Sequence, residues 1–309
     1  MSYEGKMLEE YKMPSRKDVE KALLKTLFNH NGTLKEFSSD EKIVNELAEE
    51  FDLNESQKSA QLETIYRKEN RLKKSSLWHR LLFRAADSLS NENLISRPTA
   101  TRALTNKKEW MLTEAGYDEA LKLLNIPPSQ KNILLTKSYE VQKIVKKLIE
   151  NERPENYIPF STNKKTITIT KETLLRERGF RQAVIEAYDY KCSCCGNKIK
   201  SPNGLTWEVQ AAHIVPHSFK GKDEILNGIA LCHLHHWAFD VGWFTLTDSF
   251  KIKVSSKINS LSSDSLEING YNFLEKFTKQ ETTISLPLNS QIYPHKNSLE
   301  WHRENIFFP

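Results

Sequence analysis

No stretch of this 309-residue chain holds the ~18 to 20 consecutive apolar residues that a membrane span requires, and hydrophobic residues make up only 38% of it. The opening MSYEGKMLEEYKM lacks the basic start, apolar middle and small-residue cleavage site of a secretory signal. The expectation from these two absences is a soluble, cytoplasmic protein with no membrane partner. Internal repeats and low-complexity tracts are also missing, and the length suits two domains that each bury a core. Charge of one sign is only mildly in excess: a net +5 and a pI near 8.8 favour a polyanionic partner without deciding for one. Cysteine is scarce, but all four (Cys192, Cys194, Cys195 and Cys232) fall within one stretch of 41 residues, and five of the nine histidines lie between His213 and His236. In a cytosolic chain such clustering points to metal before disulfide.

The first helix is announced by Pro14 and Ser15, with Ser15 as N-cap and Asp18 three positions later, followed by Val19, Leu23, Leu27 and Phe28. Gly32 ends it. A second capped segment, Ser39-Asp40-Glu41, leads into Ile43, Val44, Leu47, Ala48 and Phe51, and a third helical pattern runs through Leu77, Leu81, Leu82, Ala85 and Leu89. Two short strand-like pieces, Leu94-Ile95-Ser96 and Trp110-Met111-Leu112, then flank a polar, basic loop from Arg97 to Lys108, and Thr113-Glu114-Ala115-Gly116 opens another helix. Three helices and a two-stranded wing predict a winged helix. The segments MPSRKDVEKALLKTL, SSLWHRLLFRAADSLSNENLI and EWMLTEAGYDEAL resemble the N-terminal winged-helix domain of Mrr-type restriction enzymes over roughly residues 8 to 125. That resemblance implies DNA binding and carries no catalytic group.

The densest positive stretch of this region is Arg67, Lys68, Arg71, Lys73, Lys74, Arg80 and Arg84, before and within the third helix. A winged helix would aim that helix at the major groove, where cations meet phosphates and arginine reads guanine. The competing interpretation is a solvated helix face. Residues 126–165 read as a connector with one helix, through Val141, Ile144, Val145 and Leu148.

Chemistry concentrates downstream. Cys192-Ser193-Cys194-Cys195 contains a Cys-x-x-Cys knuckle, and Cys232-His233-Leu234-His235 supplies a second pair at the same spacing. Cys192, Cys195, Cys232 and His235 therefore make a Cys3His set, enough to close a structural zinc site with no position left for water. Cys194 is out of register and is expected to be a small buried residue or a group that backs the ligands rather than a ligand itself. Between the pairs lies a strand-like run, Trp207 to Pro216, ending at a histidine, and after it the loop Asn227-Gly228-Ile229. His236 and Asp240, four apart in a predicted helix, share a face that could hold one divalent cation.

In that order, FRQAVIEAYDYKCSCCG, AAHIVPHS, NGIALC and HHWAFDVG resemble the HNH (ββα-metal) nucleases, and more closely the restriction-type endonucleases among them; ISLP and LEWHRENIF look like the same family's C-terminal trimmings. The resemblance covers about residues 175 to 305. It implies that His213 is the general base, that Asn227 either ligates the catalytic cation or braces the base, and that His236 and Asp240 hold Mg²⁺ or Mn²⁺. An imidazole titrating near ~6.5 can accept a proton at cytoplasmic pH. One departure stands out: many of these enzymes carry an aspartate ligand just before the base, where this chain has Ala212. His217 and His233 are left without a role. Arg176, Arg178 and Arg181 either hold phosphates or cap a helix. Trp301, His302 and Arg303 are expected to pack rather than catalyse.

The expected architecture is α+β: a winged-helix DNA-binding domain over residues 1–125, a helical connector over 126–165 and a zinc-braced HNH endonuclease domain over 166–309. Its expected nuclease strands include Phe244 to Leu246, Lys251 to Val254 and Thr283 to Leu286. The expected substrate is double-stranded DNA, cut by a restriction or defence enzyme that selects a sequence or a modified base. Homodimerisation is expected because one such core cuts one strand. The alternative is a zinc-stabilised DNA-binding regulator with an inactive HNH core, and the intact His213, Asn227 and His236 set speaks against it.

Overall fold

The structure, a computed structural model, describes residues 3–39, 41–66, 71–161, 171–257, 267–268, 271–272 and 282–309. The chain divides into two compact units, Met1–Gln142 and Lys143–Pro309. The division falls inside a helix, Tyr139–Glu150, within the stretch expected as a connector.

In the first unit, α1 (Tyr3–Glu10) precedes α2 (Arg16–Asn29), whose N-cap Ser15 accepts a hydrogen bond from the Asp18 amide as the sequence predicts. The chain leaves α2 through Gly32 at φ +85°, where a Cβ would lie 2.1 Å from the Lys137 carbonyl oxygen, so only glycine fits the turn. Strand β1 (Thr33–Lys35), α3 (Glu41–Glu50) and the short α4 (Glu55–Ser59) follow. Asp40, in the expected second cap, lies outside the described residues. Next comes an antiparallel hairpin that the sequence reading missed, β2 (Gln61–Tyr66) and β3 (Arg71–Ser76). It runs into α5 (Leu77–Asn91), which the Ser76 side chain caps at the His79 amide. Trp78 of α5 is buried and donates its indole N–H to the Val44 carbonyl at 3.1 Å, tying α5 to α3.

The expected wing is corrected in its middle. Strands β4 (Ile95–Ser96) and β5 (Glu109–Leu112) do pair antiparallel, with β1 on the far edge of β5. The interval between them, expected as a polar loop, folds into α6 (Pro98–Thr105). The local cause is readable: Pro98 sits in the first helical turn, where its missing N–H costs nothing, and Asn106 closes the helix in the left-handed region at φ 61°. Helix α7 (Glu114–Leu123) completes the unit, with Thr113 capping the Gly116 amide at 3.0 Å. Leu23, Leu27, Phe28, Leu82, Leu112 and Tyr117 are all essentially solvent-free.

The second unit begins in α8 (Tyr139–Glu150) and is organised by α9 (Lys171–Ala187), which packs against a two-stranded antiparallel sheet of β6 (Val209–His213) and β7 (Gly228–Cys232). Helix α10 (His233–Asp240) follows β7 without a break. Beyond it, β8 (Phe244–Leu246) pairs with β9 (Ile252–Val254), as two of the three expected strands predict. The third, Thr283 to Leu286, contributes only a single antiparallel bridge, Lys251 to Thr283. Residues 267–268 and 271–272 pair as β10 and β11, and α11 (Lys296–Asn305) lies against β8.

One glycine sets how closely α9 approaches the sheet. A Cβ on Gly228 would stand 2.4 Å from Val184 Cγ2 and 2.9 Å from the Phe180 ring, both on α9. Gly228→Ala is expected to destabilise the second unit by roughly 1 to 3 kcal/mol, the usual cost of overpacking a filled core. Urea unfolding followed by far-UV circular dichroism checks this, and a midpoint equal to wild type would show that α9 can shift without cost.

Candidate zinc cluster and active site

The strand-to-helix passage from β7 to α10 creates the first feature. Cys232 is the N-cap of α10, its sulfur 3.5 Å from the His235 amide, so Cys232 and His235 face the same point one turn apart. Opposite them Cys192 and Cys195 sit on a tight turn in which the Gly196 amide returns to the Cys192 carbonyl at 2.8 Å, with Gly196 at φ +74°. The donor atoms of Cys192, Cys195, Cys232 and His235 all lie within 4.8 Å of one another. Cys195 Sγ is 3.9 Å from Cys232 Sγ, and His235 Nδ1 is 3.8 Å from Cys192 Sγ and 3.0 Å from Cys232 Sγ. A zinc–sulfur bond of about 2.3 Å in a tetrahedron gives sulfur–sulfur edges of about 3.8 Å, so the donor set fits a closed zinc site. Cys194 stands outside the four-donor group, its sulfur 3.9 Å from Ser193 Oγ.

Crowding of thiols shows in their protonation. Hydrogen bonds from Cys194, Cys195 and Cys232 hold the Cys192 thiol far below its ordinary range, while its proximity pushes Cys232 far up. Burial would lower His235, but its bonds to Cys192 and Cys195 win and raise it to about 9. A divalent cation would replace these shared protons and hold all three sulfurs as thiolates.

The second feature lies on the β6 and β7 hairpin. His213 ends β6 opposite Gly228, and its ring stacks on Phe180 of α9 with centroids 4.1 Å apart and planes at 19°. Its Nε2 is 3.0 Å from Asp223 Oδ1. Burial would raise the Asp223 carboxyl, yet bonds from His213 and His217 overcome that and hold it well below the ordinary carboxylate range. An ionised carboxylate only accepts, so Nε2 of His213 carries a hydrogen, and in the neutral ring the lone pair then sits on Nδ1.

Asn227 braces the loop after β6. Fully buried, its side-chain oxygen accepts from the Val215 amide at 2.9 Å, and its nitrogen donates to the carbonyls of Val215 at 3.0 Å and Lys222 at 3.1 Å. Of the two roles open to it from sequence, this geometry corresponds to the brace; direct cation ligation would require its oxygen to leave the Val215 amide.

On α10, His236 Nε2 lies 3.5 Å from Asp240 Oδ2, the pairing that four-residue spacing predicts. The other nitrogen, Nδ1, donates to Gln210 Oε1 at 2.7 Å, which leaves Nε2 with its lone pair toward Asp240. Burial holds His236 below its usual value against the pull of Asp240, and pushes Asp240 up against the pull of His236. A neutral imidazole with a free Nε2 is the form that ligates a cation. By strand alternation Ala212 shares the face of Gln210, the partner of His236.

Two contributors were missed from sequence. Gln210 needed the strand phase to be seen as a partner of His236. Asp223 and the unassigned His217 belong to one group with His213: His217 Nε2 lies 3.0 Å from the same Asp223 Oδ1, and the three donor atoms lie within 4.8 Å of one another. The only sequence signal was a carboxylate ten positions after a strand-ending histidine. His233 packs at 2.9 Å from Gln210 Nε2 and 3.5 Å from Glu208.

Among the expected DNA-contacting cations, Arg178 is buried in α9, at variance with a phosphate contact, whereas Arg176 is exposed and Arg181 half-buried. In the first unit, Arg80 and Arg84 both bind the buried Glu4 carboxylate, at 2.8 and 2.7 Å, so part of their charge is already matched. Lys74 pairs with Glu63 across the β2 and β3 hairpin at 2.8 Å. Arg71 and Lys73 lie on β3, and Arg67 and Lys68 are outside the described residues. His302 is buried, stacked on Phe239, and bonded through both nitrogens to Thr245 and the Phe239 carbonyl, a packing role.

Likeness to known proteins covers part of the chain. A family model described as HNH endonuclease matches residues 192–247, so this segment is an HNH endonuclease domain. No curated protein matches. A solved structure described as a modification dependent TagI restriction endonuclease is similar at 21% identity and a TM-score of 0.29, over 41% of this chain and 37% of that one. The chain therefore spans well under half the length of that neighbour. Among the described residues, no helix is long and apolar enough to cross a membrane.

Two outcomes follow from this geometry. Purified protein should carry one tightly held zinc per chain by elemental analysis, and Cys195→Ser should lose it together with a cooperative unfolding transition; a wild type free of zinc would undo the Cys3His assignment. His217 should titrate above its ordinary value of ~6.5, because its bond to Asp223 outweighs burial. The sign follows for stability: the His217 contribution is present below ~6.5 and lost as pH rises through its folded value, and that of Asp223 is present above ~3.9 and lost as pH falls. The pair is therefore tightest between about pH 4 and 6.5, and imidazole NMR titration tests it by whether the His217 midpoint drops in Asp223→Asn.

Proposed function

We propose that this protein is a metal-dependent endonuclease that hydrolyses phosphodiester bonds of double-stranded DNA. The observation that carries the reading is the pairing, inside the HNH segment, of an Asp223-held His213 with a neutral His236 facing Asp240. His213 takes the proton of the attacking water at Nδ1, while Phe180 fixes the ring plane and Asn227 the loop behind it. His236 and Asp240 hold one divalent cation, Mg²⁺ or Mn²⁺, with Gln210 setting the His236 tautomer. When bound, the cation supplies Lewis-acid stabilisation of the scissile phosphate and the leaving oxygen. The Cys192, Cys195, Cys232 and His235 cluster has all four donors turned inward and serves as scaffold zinc.

The first unit selects the DNA in this reading, as a winged-helix module that reads a sequence or a modified base through the basic residues of β3 and α5. The setting is restriction or defence, with two copies of the chain needed for a double-strand break. A DNA-binding regulator with a silent HNH core is the competing function.

Cleavage of plasmid and phage DNA, unmodified and carrying methylated or hydroxymethylated bases, with Mg²⁺ or Mn²⁺, separates the two. Wild type should cut, and His213→Ala should lose at least ~100-fold in rate, the usual contribution of a positioned general base. Binding without cutting by both proteins would leave the regulator.

A further inference from the structure

We propose that Asp223 is a positioning residue of the hydrolytic site, a single carboxylate oxygen that anchors both His213 and His217 and thereby fixes which nitrogen of His213 acts as the base. The inference rests on the reading of His213 as that base. Three observations support it. Both imidazole Nε2 atoms reach the same Oδ1 at 3.0 Å, one from the last residue of β6 and one from the loop that follows it. The rings of His213 and His217 lie 4.3 Å apart at 58°, so they converge on the oxygen rather than stack. Exposure is graded across the group, with side chains 16% exposed for Asp223, 19% for His213 and 47% for His217, so the carboxylate is the shielded member and His217 forms its solvent side.

A carboxylate held there needs a rigid support, and the loop provides one. Gly221, two residues before Asp223, donates its amide to the Pro216 carbonyl at 3.0 Å; a Cβ on it would stand 1.7 Å from the Val215 carbonyl oxygen. Asn227 ties Val215 to Lys222 from inside. The segment from Ile214 to Asn227 is thus a closed bracket, with Asp223 placed beside the Lys222 that Asn227 grips. Phe180 limits rotation of His213 from below and Asp223 limits it from the side. His217 completes the arrangement by taking a second share of the oxygen and restricting the rotation of the carboxylate.

The test compares wild type with Asp223→Asn and Asp223→Glu, the full chain being purified with its zinc. Asn keeps the size but can offer either an oxygen or an N–H to His213, so the tautomer is no longer dictated. Asp223→Asn should lower kcat at least about tenfold with little change in KM, and Asp223→Glu should recover part of it. Independently of activity, ¹⁵N chemical shifts of the His213 ring should show a protonated Nε2 and a bare Nδ1 in wild type, and a mixture in Asp223→Asn. Unchanged kcat in Asp223→Asn overturns the proposal. So does loss of activity that tracks loss of zinc or of secondary structure, which would make Asp223 merely structural. A wild type that cuts no DNA sinks the nuclease reading, but the ring shifts still decide whether Asp223 fixes His213. A bare Nε2 on His213 in wild type overturns the proposal whatever the activity, including the case in which His213, His217 and Asp223 together hold a metal ion.

Discussion

The arrangement of the second unit depends on the convergence of four donors from two distant chain segments. Cys192 and Cys195 lie just past the C-terminal end of α9, and Cys232 and His235 lie where β7 becomes α10. An ion held by all four would fix the end of α9, the end of β7 and the start of α10 together. His213 on β6 and the His236 and Asp240 pair on α10 gain their mutual placement from that closure. A hairpin of two five-residue strands is marginal by itself. Here it is clamped by the donor cluster on one side and by Phe180 and Val184 on the other, with Gly228 allowing the contact.

How much of this could be read from the residues varies with the distance over which a signal acts. The Cys3His set was legible because two Cys-x-x-[Cys/His] pairs declare their own geometry. The His236 and Asp240 pair was legible because a helix repeats every 3.6 residues. His213 and Asn227 were identifiable through the resemblance to a known motif, but the choice between ligand and brace for Asn227 was not, since it turns on where the main chain of Val215 and Lys222 lies. Asp223 and Gln210 were invisible for related reasons: one acts across a loop with no period, the other across a strand pair whose phase the sequence leaves open.

The first unit teaches a different lesson. Four of its helices, α2, α3, α5 and α7, followed from caps and apolar spacing, whereas α1 and α4 did not, and Ser15 and Thr113 behave as their sequence contexts predict. The basic interval after Ser96 reads as loop by its charge and polarity, although Pro98 carries a helix-start signal that the structure follows. The β2 and β3 hairpin is masked in the sequence for the same reason: the charge of Lys73 and Lys74 suggests a surface for phosphates and outweighs the short apolar signal of Leu62 and Leu72 on the paired strands. Composition points to a partner, whereas local stereochemistry determines the shape.

The side chain of Asn227 has a consequence for the protein over time. Asn227 is followed by Gly228, and in an open chain an Asn-Gly pair is the dipeptide most prone to lose its amide, because the next backbone nitrogen can attack the side-chain carbonyl freely. In the folded protein that nitrogen is turned to the Ile225 carbonyl, and the amide is sealed among main-chain groups. The same bonds that stiffen the loop therefore preserve the residue chemically. Each excursion to the unfolded chain removes that shelter, and conversion to a carboxylate would set a negative charge against two carbonyl oxygens on refolding. The loop thus carries a slow, irreversible record of how often the second unit has opened.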